Sequence, residues 1–168
     1  MLEDCLELLE QDFFEIGEAF KGLADENVWK RPAEGLLSVG ELAGHVAYWQ
    51  AVRLAGEGED MAKCRVRSLL IDPRFRYYPS TIETPPSEQH LAMTADQVCT
   101  ELLRVHEESV AHFKSLNPDL GDPPPGLSPG LAGNTYGTSL KYLVFHVAYH
   151  TGQIYSVRHL LGEETPDN

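Results

Sequence analysis

Positive charge is scarce in this chain: 13 Lys and Arg stand against 26 Asp and Glu over 168 residues, a formal net charge of −13. A nucleic acid backbone or an anionic membrane would be repelled, so neither is an expected partner. Cysteine is scarce too. Cys5, Cys64 and Cys99 are odd in number, widely spaced and without a CxxC pair, which argues against a disulfide framework or a zinc–thiolate cage and fits reduced thiols. Long apolar runs are missing: none approaches the roughly 20 residues that span a bilayer, and no basic segment followed by an apolar run opens the chain. These features predict a cytoplasmic protein. There is no Gly-rich phosphate loop between a strand and a helix, and no repeat of solenoid length.

What is present suits one globular domain over 1–168, with 42% hydrophobic and 23% charged residues. Leu2, Leu6, Leu9, Phe13, Ile16, Phe20 and Leu23 recur at steps of four and three, which predicts a first helix over about 2–24, ended by Asp25, Glu26 and Asn27. Ser38-Val-Gly-Glu41 has capping-box spacing and opens a second over about 38–56, carrying Leu42, His45, Val46, Trp49 and Val52. Thr94-Ala-Asp-Gln97 opens a third over about 94–116, with Val98, Leu102, Val105, His112 and Leu116 as its stripe and Asn117-Pro118 as its stop. Thr138 or Ser139 is expected to cap a fourth over about 138–161, with Leu143, Val147, Ile154, Val157 and Leu161 inward and Arg158 and His159 at its C-terminal dipole. The tail after Gly162 reads as polar and frayed. Two long connections, 58–93 and 117–137, are punctuated by proline; in the first only Met61 to Ile71 has helical period. The class is therefore all-α, a four-helix bundle with long crossover loops.

Two histidines four apart on a helix project side by side, so His146 and His150 can chelate one ion at zinc–nitrogen distances of about 2.0–2.1 Å. His150 falls on the inward stripe and His146 beside it, where an idle polar group costs about 1–3 kcal/mol. The competing reading is a pair of core histidines bonded to carbonyls or water. For a third ligand His45 is preferred, being early in a capped helix on its apolar side; His106 and His112 on the third helix are alternatives. Val147 stands where an HExxH zinc protease carries its glutamate, which excludes that chemistry. Gln153 and Tyr149 share the face of the pair and can orient water, substrate or His150. Tyr48 and Arg53 on the second helix are further candidates for substrate or supporting roles.

Trp29-Lys-Arg-Pro-Ala-Glu-Gly35, followed by Ser38-Val-Gly-Glu-Leu-Ala-Gly-His45, and the closing His146-Val-Ala-Tyr-His150-Thr-Gly-Gln-Ile154 resemble the DinB/YfiT superfamily of metal-binding four-helix bundles. The likeness follows the helix order over most of the chain, with Thr151 where an arginine is frequent. The resemblance implies a metal on His45, His146 and His150. Relatives of this kind include thiol transferases, and a mycothiol-dependent maleylpyruvate isomerase has a related domain. Three neutral imidazoles leave an ion with open positions for a water or a thiol. The expected function is then a metal-dependent enzyme on a small molecule, either a low-molecular-weight thiol S-transferase or a hydrolase. A non-catalytic metal-stapled bundle acting in binding or stress response is the alternative. Zinc or nickel is the expected ion, with iron also suited to imidazole. A homodimer is expected as well, formed through apolar first-helix positions Leu8, Phe14 and Phe20.

Overall fold

Every fourth or third residue of the N-terminal segment is apolar, and the segment forms α1, Leu2–Phe20, with Leu6, Leu9, Phe13, Ile16 and Phe20 buried on one side. In this computed structural model residues 2–77, 83–126 and 135–166 are described, so the central parts of both long connections, 78–82 and 127–134, lie outside the description. Helix α1 stops earlier than its apolar period suggests. Gly22 takes a φ of +71°, which only glycine adopts without strain, and turns the chain. Asp25, Glu26 and Asn27, expected to end the first helix, instead start a separate turn of helix, α2, Asp25–Val28. Phe20 is buried, which removes it from the surface positions proposed for pairing, whereas Leu8 and Phe14 are exposed.

Ser38 caps α3, Val39–Leu54, in a full capping box with Glu41. Glu41 is wholly buried and also accepts from Arg31 Nε at 3.0 Å, which ties the preceding loop to the helix start. After a 3₁₀ turn at Pro73–Phe75 comes a short helix α4, Glu88–Leu91; then α5, Ala95–Leu116, capped by Thr94. Asn117, left-handed at φ 43°, ends α5 before Pro118. The last helix, α6, covers Tyr136–Leu160. Its cap is Thr135 rather than Thr138 or Ser139; Thr138 sits at the third helical position and closes the box, so the helix begins earlier than expected.

Helix α3 packs on both α5 and α6, and α1 does the same, which leaves α1 diagonal to α3 and α5 diagonal to α6 around one core. Among the described residues the structure is all-helical. No described helix is long and apolar enough to cross a membrane, and all three cysteines are free thiols.

Several local expectations fail for identifiable reasons. Met61 to Ile71 forms turns instead of a helix, with Val66 and Leu70 buried and Arg67 Nη2 bonded to the Ala62 carbonyl. Leu116 is exposed, because the α5 stripe runs instead through His106, Ser109, Val110 and Phe113. The tail after Gly162 is anchored rather than frayed. Arg158 is fully buried and holds the Ala19 and Lys21 carbonyls at 2.7 and 2.9 Å, Glu163 at 2.9 Å and the Glu164 carbonyl at 2.9 Å. One guanidinium thus ties the end of α1 to the end of the chain.

Candidate metal centre

Positions 45 on α3 and 146 and 150 on α6 meet because the two helices pack side by side and His146 and His150 are one turn apart. Their ligating nitrogens all lie within 4.8 Å of one another. His45 Nε2 and His146 Nε2 are 3.1 Å apart. Two nitrogens each about 2.05 Å from one ion at a tetrahedral angle lie about 3.3 Å apart, so this separation fits a shared ligand pair. The same distance also suits a single N–H···N bond, so His146 can exchange that proton for a cation. His146 and His150 are 5% and 8% exposed and His45 is half-buried.

The backs of two rings are fixed. His45 Nδ1–H donates to the Phe75 carbonyl at 2.6 Å, and His150 Nδ1–H donates to Gln153 Oε1 at 2.6 Å. A carbonyl oxygen can only accept, so each bond sets the tautomer and leaves Nε2 of that ring with a lone pair. Gln153 Nε2 in turn donates to the Tyr149 hydroxyl at 3.3 Å, which supports the amide orientation that faces its oxygen to His150. His146 Nδ1 is buried and has no partner among the described residues, so its tautomer has no such lock.

Glycine makes the His45 lock possible. A Cβ at position 44 would stand 2.5 Å from the Phe75 ring, so Gly44 lets that ring lie on the backbone of α3 and brings its carbonyl to His45. Gly40 does the same one turn earlier for Trp29, whose indole N–H reaches the Met93 carbonyl at 3.0 Å. Sequence reasoning missed both roles, although two glycines four apart inside a capped helix are a usable signal for close packing.

Electrostatics keep the three rings neutral. Burial, aided by the charges of His150, His45 and Arg53, pushes His146 down to about 2. Burial and His45 push His150 down to about 4, against the Gln153 hydrogen bond, and burial lowers His45 against the Phe75 carbonyl. Neutral imidazole is the form that ligates. Leu37, Tyr149 and Gln153 join His45 and His150 in lining a cleft of about 450 Å³, and no carboxylate is among these lining residues.

The remaining candidates fall elsewhere. His106 is buried but lies flat on Phe13, ring centroids 3.8 Å apart, with Gln50 Nε2 2.9 Å from its Nδ1. His112 is half-buried further along α5 and outside the cluster. Tyr48 is buried and its hydroxyl bonds Glu59; burial, Glu59 and Tyr77 raise it to about 12 against Arg76. Arg53 is buried two turns beyond His45 on α3. His90 is buried in a capping box with Ser87, with its Nε2 2.7 Å from the Leu69 carbonyl.

A family model described as the DinB superfamily matches residues 9–154. No curated protein matches the chain. The matched span contains all three histidines and runs from the second turn of α1 into α6.

Proposed function

Since the chain belongs to the DinB superfamily, we propose that it is a divalent-metal-dependent enzyme that holds its ion on His45, His146 and His150 and acts on a low-molecular-weight thiol. The observation that carries the reading is the convergence of three neutral imidazoles, two of them locked from behind and lining a cleft without a carboxylate. When bound there, a divalent ion would lower the pKa of a thiol or water and polarise an acceptor. Zinc, nickel and iron all suit an imidazole set.

The protein's own contribution is positional. Phe75 and Gln153 hold the two rings, Leu37 gives the cleft an apolar wall, and Tyr149 presents its hydroxyl at the rim beside Gln153. A hydrolase needs a base to take a proton from water as it attacks, and no lining residue is a carboxylate. A thiol, with a free pKa of about 8.5, needs far less help. This favours transfer of a thiol over hydrolysis. Pairing of two chains through Leu8 and Phe14 belongs to the same proposal, and a sedimentation mass of one chain at micromolar concentration would remove it.

The test is cobalt substitution. Cobalt-loaded protein should show the visible bands of a tetrahedral or five-coordinate ion, and added 2-mercaptoethanol should produce a thiolate-to-cobalt charge-transfer band. Absence of stoichiometric metal would sink the metal reading. Bound metal whose spectrum is indifferent to thiol would leave the non-catalytic staple in its place.

A further inference from the structure

Two arginines are buried in this bundle, and they differ. Arg158 spends its donors on Glu163 and three carbonyls. Among the described residues Arg53, 7% exposed, makes one hydrogen bond, Nη1 to Ser139 Oγ at 2.9 Å, and its buried Nε has no partner. Among the described residues no carboxylate pairs with it; Glu59, close enough to act on it, is ion-paired with Arg76. A buried guanidinium without a counter-ion is costly, and an arriving anion would relieve that cost.

Its surroundings point to the kind of anion. The guanidinium carbon lies 5.3 Å from the Trp49 ring centroid and 4.7 Å from that of Tyr142. Ring faces satisfy a cation electrostatically but leave its in-plane N–H groups without acceptors. A flat carboxylate can meet those donors edge to edge, and the hydrocarbon chain behind it can lie against the rings. His45, Trp49 and Arg53 follow at intervals of four on α3, and Tyr142 also stacks on His146 at 5.7 Å. The Cα atoms of positions 45 and 53 are about 12 Å apart along the axis, and helical side chains lean toward the N-terminus, which carries the guanidinium back toward the histidines. The facing helix, Tyr136–Leu160, contains no Asp or Glu in a chain with 26, so the carboxylate an arriving anion would meet is Glu59, which Arg76 already engages.

We propose that Arg53 receives the carboxylate of the substrate between Trp49 and Tyr142, so that the protein takes small organic acids whose reacting group reaches the three histidines from the His146 side. The position of the reacting group rests on the metal reading above; the carboxylate contact does not. Hexanoate, hexanol and inorganic phosphate are titrated into metal-free parent protein, Arg53→Gln, Arg53→Lys and His106→Leu, following the Trp49 indole N–H resonance with Trp29 as internal reference. The parent should bind hexanoate saturably and at least about tenfold more tightly than hexanol or phosphate. Arg53→Gln should lose that preference, Arg53→Lys keep part of it, and His106→Leu keep it in full. Equal binding of hexanoate and hexanol, or no saturable binding by the parent, overturns the proposal without any variant. Phosphate binding as tightly as hexanoate overturns the organic acid in favour of an inorganic anion. Hexanoate binding by a parent that takes up no cobalt would leave this inference standing and the metal reading fallen.

Discussion

Histidine is buried on two sides of the bundle, in different company. Where α3 meets α6, three imidazoles face one another with nitrogens within 4.8 Å and two are held from behind by oxygen acceptors. Near α1 and α5, His106 is as deeply buried, yet it stacks on Phe13 and shares a hydrogen bond with Gln50. Burial lowers the pKa of all four. What sets the first group apart is convergence of ring nitrogens on a common point, with the tautomers of His45 and His150 fixed so that their lone pairs face it. Position 106 is a packed polar residue. Depth alone therefore says little about ligation; the partner behind the ring says more.

The sharpest way to break this comparison is to delete one ring from each place. His150→Ala should take metal content from about one ion per chain to background and abolish the effect of a chelator on thermal unfolding. In the parent that effect should reach about 4 kcal/mol when free metal exceeds its dissociation constant a thousandfold. His106→Leu should keep both the metal and the chelator effect, whatever it does to stability. Equal metal loss in the two variants, measured by elemental analysis, would erase the distinction.

Glycines allow a finer cut. A methyl at position 40 or 44 would each meet an aromatic ring at 2.5 Å, so Gly40→Ala and Gly44→Ala should both cost about 1–3 kcal/mol by overpacking. Only at position 44 does the displaced ring belong to the residue whose carbonyl holds His45. Gly44→Ala should therefore weaken metal binding by about 10–100-fold, and Gly40→Ala should leave it unchanged. Calorimetric titration with zinc of the two variants, after urea melts have matched their stability losses, reads the difference.

These residues also mark how far the sequence was legible. Apolar periodicity and capping boxes are local signals, and they located the four long helices to within a few residues, because the buried stripe and the cap are made by the helix's own neighbours in sequence. The His146–His150 pair was legible for the same reason. His45 was preferred for its place early in a capped helix but not fixed by pattern, since it is 101 residues from His146 and His106 and His112 stayed open beside it until the resemblance. Arg158 looked like a helix-end cation; its burial depends on carbonyls of Ala19 and Lys21, which no local period announces. Gly44 and Phe75 are likewise joined only by the fold, across a proline-interrupted connection without a sustained period.

Acid gives the mildest contrast. In the metal-free chain His146 and His150 stay neutral down to about 2 and 4, while in the unfolded chain they protonate near the usual 6.5. The unfolded state thus binds more protons as pH falls below 6.5, so the stability these rings contribute is fully present above that pH and drains away below it. Each fully shifted ring contributes a slope of about 1.4 kcal/mol per pH unit. His106, also lowered by burial, adds to the loss; Asp12, raised to about 6 by burial, opposes it between 6 and 3.8 because the folded state then holds the extra proton. Asp12 is only half-buried and offsets little. Urea melts of the metal-free parent between pH 7 and 5 should therefore show falling stability, and His146→Phe should flatten the slope by an amount that approaches about 1.4 kcal/mol per unit toward pH 5. Bound metal, by competing with protons for the same nitrogens, should delay the fall to lower pH for the cluster while leaving the share of His106 where it was. A parent whose pH profile is unchanged by His146→Phe would mean that this ring is already free to take up a proton in the folded chain.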